Sequence, residues 1–272
     1  MKIAVYIGRK VSESDERIVR LTDTLQKGGV DIYPVRNSLD MRPETDMLLS
    51  VGGDGTFLSA AMLVADSSVP VAGVNIGRLG FLSENHPEDV AEALITGDYT
   101  IEDRSLLKAV VDSGDDVVES WPYALNEMTV RRSGAALLGV DVTLDDVLLP
   151  TYWADGLVVS TSSGSTAYSL SVGGPIVLPG SRVLIISPIA PHNLNVRPLV
   201  VPDGTKVTLR MHSRDGRFEF SADNRTMEVS EDTPITISLA HFSLRRVRLN
   251  KSDFIHALIE KLHWGDDVRN VR

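Results

Sequence analysis

Residues 47–64, MLLSVGGDGTFLSAAMLV, decide the predicted fold of this chain. Residues 47–51 are apolar enough for a strand that is covered on both faces, and residues 57–64 have the composition of a helix. Three glycines and Asp54 form the turn between them. A strand that leads through a glycine-rich turn into a helix is typical of α/β proteins with a largely parallel sheet.

The same alternation of strand and helix continues outward from this stretch. Ile18, Leu21 and Leu25 recur on one face of a predicted first helix. Ser12 or Ser14 is the expected N-cap of that helix. The other predicted strands and helix of this region are residues 3–7, 30–35, 71–74 and 87–96. We therefore predict an N-terminal α/β domain that is Rossmann-like.

From about residue 100 the chain changes to short β-branched runs separated by turn residues, which predicts an all-β, sandwich-like domain. Its predicted strands are residues 106–111, 127–131, 140–144, 157–161, 207–211, 218–221 and 235–239. Phe254, Leu258 and Leu262 then line one face of a terminal helix, which we expect to pack back on the first domain. The predicted domains are residues 1–99 with 250–272, and residues 100–249.

Composition and charge exclude several classes of protein. The 272 residues include 27 Lys and Arg against 37 Asp and Glu, which gives a formal net charge of -10. This charge argues against a protein that mainly binds a nucleic-acid backbone. The absence of cysteine excludes disulfides, thiolate metal sites and cysteine nucleophiles. No apolar run approaches the ~18 residues of a membrane helix, and the N-terminal run is too short for a signal peptide, so we expect a cytoplasmic protein without membrane contact.

The glycine-rich turn has the chemistry of a phosphate site. Gly52, Gly53 and Gly55 allow a ligand to approach the backbone, and their amides, with the start of a helix, favour an anion. Asp54 would repel a phosphate unless it holds Mg²⁺ or accepts a proton from a nucleophilic hydroxyl. It is equally compatible with a plain helix N-cap. The turn matches neither GxxxxGK[ST] nor GxGxxG.

Two polar segments of the predicted β domain suit a nucleotide as well. Residues 160–166 are rich in hydroxyl groups that can line a polar site, or they form an ordinary Ser-rich turn. Asn126 and Glu127 place an amide and a carboxylate on opposite faces of a strand, and carboxylates commonly bind a ribose diol; the alternative is a surface strand end. Tyr168 either stacks on a ligand or belongs to the core.

These segments together resemble a known family. Residues 52–56 are similar to the signature of NAD kinases, diacylglycerol and sphingosine kinases and, more loosely, phosphofructokinases. Residues 155–168, DGLVVSTSSGSTAY, resemble the NAD kinase pattern in particular. Residues 75–82, 125–127 and 191–194 with 197–199 resemble that family too, in its order. The resemblance covers most of the chain from about residue 47 to residue 225.

The resemblance implies an enzyme that transfers the γ-phosphoryl group of ATP to the 2′-hydroxyl of the adenosine ribose of NAD, giving NADP. Such a transfer depends on positioning and charge neutralisation more than on a strong base. Because the six His are scattered and no metal-ligand cluster is visible, we expect Mg²⁺ or another divalent cation to be carried with ATP. The resemblance also leaves polyphosphate open as a donor and implies a homodimer or homotetramer.

Family roles carry over by position. Asp54 matches the residue that assists deprotonation of the 2′-hydroxyl, Asn126 and Glu127 match residues that bind the adenosine of NAD, and Phe81 matches an apolar neighbour of adenine. Asp223 matches a polar residue near the phosphoryl transfer. The other matches are Asp155 and Ser163 on the nicotinamide side, Thr166, Ala167, Tyr168 and Ser171 in the enclosing loop, and Gly52, Gly53, Gly55 and Thr56 at the phosphates. The β domain would thus carry much of the NAD site.

The chain departs from the family pattern at two places. Ser162-Ser163 stands where the family usually has Pro-Thr or Pro-Ser, which predicts a less rigid loop. Trp153 stands where many members have an arginine, so a cation near the dinucleotide is missing. Trp153 is free to stack on a ring or to pack at a subunit contact.

Two other functions compete with this one. A lipid kinase of the diacylglycerol type shares the glycine loop, but it should show an exposed apolar or basic stretch that faces a membrane. A non-catalytic dinucleotide sensor would bind NAD and form no NADP.

Overall fold

We describe the protein from a computed structural model, which describes residues 1–77, 80–111 and 121–265. The chain divides into two compact units, Met1–Asp103 with Leu244–Arg272, called here the α/β unit, and Arg104–Ser243, called the β unit. Residues 78–79 of the family-like segment and residues 266–272 of the first predicted domain lie outside the described residues. The assignment of much of the NAD site to the second domain stays a prediction.

The α/β unit is built on a parallel sheet. Its strands are β1 Lys2–Ile7, β2 Asp31–Pro34, β3 Met47–Val51 and β4 Val71–Val74. They lie in the order β2-β1-β3-β4, with β1 parallel to both β2 and β3 and with β3 parallel to β4. Its helices are α1 Glu16–Lys27, α2 Asp54–Val64 and α3 Pro87–Thr96, with a 3₁₀ turn at Ser38–Asp40. The prediction of a Rossmann-like α/β domain is confirmed.

Two helix starts differ from the prediction. The N-cap of α1 is Asp15, whose carboxylate accepts the Arg17 amide at 2.9 Å, and neither Ser12 nor Ser14 has that place. Those two serine hydroxyls lie 2.8 Å from each other in the turn before the helix. Helix α2 begins at Asp54 and not at residue 57, since an acidic residue in a first turn is favoured by the helix dipole.

One apolar core holds the α/β unit together. Ile18, Leu21 and Leu25 of α1 are buried, as their spacing predicted. They pack with strand residues and with α3 in a single cluster that also contains Val247 and Leu249 from the far end of the chain. This unit is therefore completed by residues from both ends of the chain.

The β unit is a sandwich of two sheets. The strands lying mainly in it are β5 Tyr99–Val111, β6 Tyr123–Ala124, β7 Glu127–Arg132, β8 Leu138–Leu144, β9 Val147–Leu148, β10 Tyr152–Ala154, β11 Gly156–Thr161, β12 Val183–Ile189, β13 Leu199–Pro202, β14 Val207–His212, β15 Arg217–Ala222, β16 Arg225–Ser230 and β17 Ile235–Leu249. One sheet has the order β13-β12-β11-β7-β15-β16, and β17, β14, β8 and β10 follow one another in the other. Alternate residues of both sheets meet in one core.

Strands β5 and β17 are much longer than predicted, because each runs from one unit into the other along the chain. The Gly/Ser/Thr segment after β11 contains a 3₁₀ turn at Ser163–Thr166 and a short helix α4 at Tyr168–Ser171.

The terminal helix α5 covers Phe254–Leu262 and is capped by the Asp253 carboxylate, which accepts the Ile255 amide. The Phe254 ring lies 6.0 Å from the ring of Phe81, so α5 packs on the α/β unit as predicted. Among the described helices, none is long and apolar enough to cross a membrane.

Candidate active site

The glycine-rich turn of the α/β unit presents an open backbone after β3. Gly52 has φ +154, a conformation that favours glycine, and its amide donates to the Val74 carbonyl at 2.8 Å. A Cβ added at Gly53 or Gly55 would meet no atom within 4 Å, so both residues leave room for a ligand at the start of α2. The Thr56 side chain, by contrast, points at Gly8 and Gly52, and a Cβ on either glycine would overlap it.

Asp54 is held by the backbone of a neighbouring loop. Its carboxylate accepts the amides of Phe81 at 2.8 Å, Leu82 at 3.1 Å and Ser83 at 2.9 Å. A Cβ on Gly80 would overlap the same carboxylate. A carboxylate has about four acceptor positions, and the described residues use three of them, which leaves one position on Oδ2 for another donor. Asp54 is thus a fixed acceptor, and the alternative of Asp54 as the N-cap is wrong, because Gly53 has that place and Asp54 is the first residue of α2.

Residues 80–83, which we call the amide segment, are contacted in turn by α5. The Lys261 ammonium donates to the Gly80 carbonyl and lies 4.8 Å from the centroid of the Phe81 ring. Burial lowers the pKa of Lys261, against the opposite effect of Glu84 and Asp54 nearby. The sequence interpretation missed Lys261, although its spacing from Phe254 and Leu258 places it on the same helix face.

A groove of about 620 Å³ adjoins the end of β1 in the α/β unit. Val5, Ile7 and Ile32 give it an apolar floor. Gly8, Arg9, Glu13 and Arg36 are among its remaining lining residues. Arg36 and Glu13 form an exposed ion pair of 3.4 Å, and Arg9 is exposed. No motif in the sequence indicated this groove, since it is formed by side chains scattered over residues 5–36.

In the β unit, Asp223 organises the start of β7. It lies in the two-residue turn between β15 and β16 with φ 50, a backbone state that Asp tolerates better than most residues. Its carboxylate accepts the amides of Leu125 and Asn126, both at 2.8 Å, and of Glu127 at 3.3 Å. Burial raises the pKa of Asp223. Asp223 therefore shapes the Asn126-Glu127 corner, and its predicted place near the transferred phosphoryl group stays a prediction.

Glu127 is a second carboxyl group of this corner whose pKa is raised. Burial, followed by the charge of Asp223, raises the pKa of Glu127 to about 7, and the Tyr168 amide opposes that shift. Within the described residues its Oε2 atom is buried without a hydrogen-bond partner. A buried acceptor without a partner is costly, so Oε2 is suited to receive a ligand hydroxyl.

The segment after β11 packs closely on the same corner. A Cβ on Gly164 would overlap the Asn126 backbone, so glycine is needed for the approach. The Thr161 hydroxyl donates to the Leu125 carbonyl at 2.7 Å, and the Ser165 hydroxyl bonds both the amide and the carbonyl of Val177 at 3.1 Å. These bonds tie the segment to its surroundings, and the lower rigidity expected from Ser162-Ser163 stays a prediction.

The other predicted residues of the β unit have the following places. Ser163 and Thr166 lie in the 3₁₀ turn, Ala167 follows it, and Tyr168 and Ser171 belong to α4. Glu219, and after it Tyr168, raises the pKa of Arg131. Asp155 forms an ion pair of 2.8 Å with Arg132.

Trp153 lies on β10 opposite Gly139 of β8. Its ring covers Gly139, where a Cβ would come within 2.9 Å of it, and 42% of the residue remains exposed. Its carbonyl accepts the His192 amide at 2.8 Å.

The predicted residues thus form two groups, each within one unit. Gly52, Gly53, Asp54, Gly55, Thr56 and Phe81 belong to the α/β unit. Asn126, Glu127, Asp155, Ser163, Thr166, Ala167, Tyr168, Ser171 and Asp223 belong to the β unit. Across residues 1–77, 80–111 and 121–265, no three His, Cys, Asp or Glu side chains are placed to hold a metal ion.

Comparison with known proteins relates both groups to one family. A family model described as the ATP-NAD kinase N-terminal domain matches residues 8–98, and one described as the ATP-NAD kinase C-terminal domain matches residues 125–249. The chain is 41% identical over 290 residues to an NAD kinase of Porphyromonas gingivalis, covering 98% of this chain and 99% of that one. It is also 41% identical over 291 residues to an NAD kinase of Bacteroides fragilis, covering 99% and 100%.

Solved structures agree with this relationship. An NAD kinase from Archaeoglobus fulgidus in complex with ATP has a TM-score of 0.79 and 26% identity, covering 97% of this chain and 99% of that one. A yeast NADH kinase complexed with NADH has a TM-score of 0.85 at 21% identity, covering 100% and 89%, and shares the fold. From the order of its motifs, its two matched domains and its full-length relatives, this chain belongs to the ATP-NAD kinase family.

Proposed function

We propose that this chain transfers the γ-phosphoryl group of ATP to the 2′-hydroxyl of the adenosine ribose of NAD, forming NADP. The observation that carries the proposal is the Asp54 carboxylate, fixed by three amides beside glycines that leave the backbone open. The relatives that match over nearly the whole chain are NAD kinases, which gives no support to a lipid kinase or a sensor.

Each group of residues has a distinct task in this reaction. The amides of Gly53 and Gly55, with the start of α2, hold the phosphates of ATP. Asp54 orients the 2′-hydroxyl and takes its proton late, because phosphoryl transfer runs through a loose transition state that needs little base strength. Glu127 accepts a ribose hydroxyl on its Oε2 atom, for which residues 1–77, 80–111 and 121–265 supply no hydrogen-bond partner.

The remaining predicted residues complete the NAD site of this proposal. Asn126 binds the adenosine and Phe81 lies near adenine. Asp155 and Ser163 contact the nicotinamide side. The enclosing segment supplies Thr166, Ala167, Tyr168 and Ser171.

The groove beside β1 is proposed to hold the adenosine of ATP. It is apolar on its floor, has an exposed cation in Arg9, and adjoins Gly8, whose backbone lies against Thr56 of the glycine-rich turn. A flat heterocycle on an anionic tail suits an apolar groove with a cationic rim.

In this proposal Mg²⁺ is carried with the nucleotide. The amides of Phe81, Leu82 and Ser83 use three of the four acceptor positions of Asp54, which leaves that carboxylate little capacity to bind the cation itself. When bound, Mg²⁺ would neutralise charge on the phosphates. Polyphosphate remains a possible second donor, which a coupled assay for NADP with each donor, with and without Mg²⁺, decides.

A cytoplasmic homodimer or homotetramer remains part of the proposal. Val147 and Leu148 of β9 and Trp153 of β10 are exposed apolar side chains near one edge of the β unit, and they would supply the contact. Light scattering of the purified chain measures its mass in solution, and a monomer at micromolar concentration would contradict this part.

The Asp54→Asn variant tests the catalytic role. We expect kcat to fall by about 10² to 10⁴, the usual contribution of a positioned acid or base, with little change in the KM for NAD. Asp66→Asn is the matched control, because Asp66 is exposed beyond the other end of α2. Near-normal kcat in Asp54→Asn would disprove the role, and absence of NADP from the unmodified chain would disprove the function.

A further inference from the structure

Lys261 is a half-buried cation whose position the proposed reaction does not explain. Within the described residues no carboxylate lies at ion-pair distance from its ammonium, which donates instead to the Gly80 carbonyl. Removing an ammonium from water is costly and normally needs a partner of opposite charge. The partner must therefore be sought beyond the Gly80 carbonyl itself.

The peptide group that joins Gly80 to Phe81 connects Lys261 to Asp54. Its carbonyl oxygen accepts from the Lys261 ammonium, and its N–H donates to Asp54 Oδ2 at 2.8 Å. In a planar trans peptide the C=O and the N–H point in opposite directions. The cation thus sits at the negative end of this dipole and the carboxylate at its positive end, so each hydrogen bond polarises and strengthens the other.

Helix α5 holds Phe81 at two places. Its first residue, Phe254, contacts the Phe81 ring at 6.0 Å, and Lys261 lies over the same ring at 4.8 Å. The two residues are seven positions apart, which is two helical turns, so both face the amide segment. Any movement of α5 is therefore passed to the amides that hold Asp54.

We propose that Lys261 is a positioning residue for Asp54, acting through the Gly80–Phe81 peptide group. This inference rests on the proposed function, because it concerns the residue that orients the 2′-hydroxyl. Lys261 keeps the amide segment in place and stabilises the charged carboxylate at a distance. The terminal helix is then part of the catalytic apparatus and not only a cover for the α/β unit.

The first experiment compares Lys261→Met with Lys261→Gln and Lys251→Met. Methionine keeps the apolar stem over Phe81 and removes the ammonium, whereas glutamine keeps a donor for the Gly80 carbonyl and removes the charge. Lys251 is the matched control, because it is exposed, precedes α5 and pairs with Asp89 instead. We expect Lys261→Met to lower kcat by about 10-fold to 100-fold, as for a displaced reactive group, with both KM values nearly unchanged. The kcat of Lys261→Gln should lie between that of Lys261→Met and that of the unmodified enzyme. The kcat of Lys251→Met should equal that of the unmodified enzyme.

The second experiment places Lys261→Met in the Asp54→Asn background. Because residues that act through one another are not additive, we expect no further loss of kcat in the double variant. An additive loss, or a raised KM for ATP alone, would mean that Lys261 contacts the nucleotide directly. A lowered melting temperature with unchanged kcat would mean that Lys261 serves stability only. Either result overturns the proposal.

A third readout does not depend on activity. Hydrogen exchange in the peptide covering residues 80–83 should accelerate in Lys261→Met and in Asp54→Asn, and should stay unchanged in Lys251→Met. If the unmodified chain formed no NADP while this exchange pattern held, the proposed function would fail but the link between Lys261 and Asp54 would stand. Unchanged exchange in Lys261→Met would remove the link itself.

Discussion

Glu127 combines a buried carboxyl group, a neighbouring carboxylate and an acceptor atom that has no hydrogen-bond partner in the part of the chain that the structure describes. Burial and the charge of Asp223 raise its pKa to about 7, so near neutral pH it is divided between its two protonation states. A ribose hydroxyl donates to the ionised form and stabilises it. The ionised Glu127 carboxylate is thus suited to bind a ribose hydroxyl, but without that ligand it destabilises the folded protein.

Replacing Glu127 by Gln should change the pH dependence of stability. Below about pH 4.5 the group is protonated in both states and contributes nothing. Between that pH and about 7 the folded state keeps a proton that the unfolded state has lost, so stability falls as pH rises. Glu127→Gln removes this loss and should be more stable than the unmodified chain at pH 8, by about 3 kcal/mol.

Thermal melts at pH 5 to 8 measure this effect. Glu228→Gln, at an exposed position of β16, is the control and should follow the unmodified chain. The KM for NAD should fall as pH rises through about 7 in the unmodified enzyme and lose that dependence in Glu127→Gln. A Glu127→Gln protein that is no more stable at pH 8 would contradict the buried, raised-pKa carboxyl group.

At the scale of structural elements, the loop between β4 and α3 supplies the amides for Asp54. The amide of Gly80 donates to the Ser83 carbonyl at 3.1 Å, which closes a tight turn around the carboxylate. The Asn75 side chain donates to the same carbonyl at 3.0 Å and accepts the Gly77 amide at 2.6 Å. Gly80 therefore has no room for a side chain, although Gly77 in the same loop does.

The variants Gly80→Ala and Gly77→Ala should separate these positions. A methyl group on Gly80 overlaps the Asp54 carboxylate and must displace it, so we expect kcat to fall about 100-fold, as for a group moved by an ångström. Gly77→Ala meets no atom within 4 Å and should retain the activity. Steady-state kinetics at matched protein concentration measure both, and equal activities would show that Asp54 does not work from its observed place.

The order of the strands explains where the donor nucleotide is proposed to bind. Helix α1 follows β1 toward β2, whereas α2 follows β3 toward β4 on the other side, so the chain leaves β1 and β3 in opposite directions. Right-handed connections then place the two helices on opposite faces and open a crevice between the strand ends. The glycine-rich turn and the end of β1 meet there.

Arg9, which follows β1 and lines the groove, is a suitable residue for testing whether ATP binds there. We expect Arg9→Ala to raise the KM for ATP about tenfold, the value of one exposed charge-assisted contact, and to leave the KM for NAD unchanged. Arg20→Ala is the control, since Arg20 of α1 is exposed and pairs with Glu16 within its own helix. Equal effects on both substrates would argue against an ATP site in this groove.

At the scale of the whole molecule, the chain builds the α/β unit from two segments that are far apart in the sequence. It leaves this unit along β5 and returns along β17, whose last residues, including Val247 and Leu249, enter the core that β1 and α1 started. Arg246 pairs with β4 through Val71 and forms a buried ion pair with Glu84. Helix α5 then reaches Phe81, so residues near both ends of the chain shape the surroundings of Asp54.

Several elements of the fold were predicted correctly from the local sequence pattern alone. The strands at residues 47–51 and 71–74 and the helix at residues 87–96 have the predicted bounds, because apolar runs ended by glycine or proline are local signals. The long strands β5 and β17 were predicted too short, because their polar ends lose the alternation that marks a half-buried strand.

By itself, the sequence determined the class of fold, the glycine-rich turn and the family, since these depend on residues that are close together or on motifs in a set order. Only the tertiary structure decided the hydrogen-bond partners and the pKa of each charged group. The three amides on Asp54 come from 27 to 29 residues away, the Lys261 contact spans 181, and the pKa of Glu127 depends on Asp223. Electrostatic interactions depend on the distance between groups and on their burial, and neither quantity can be derived from the spacing of residues along a chain.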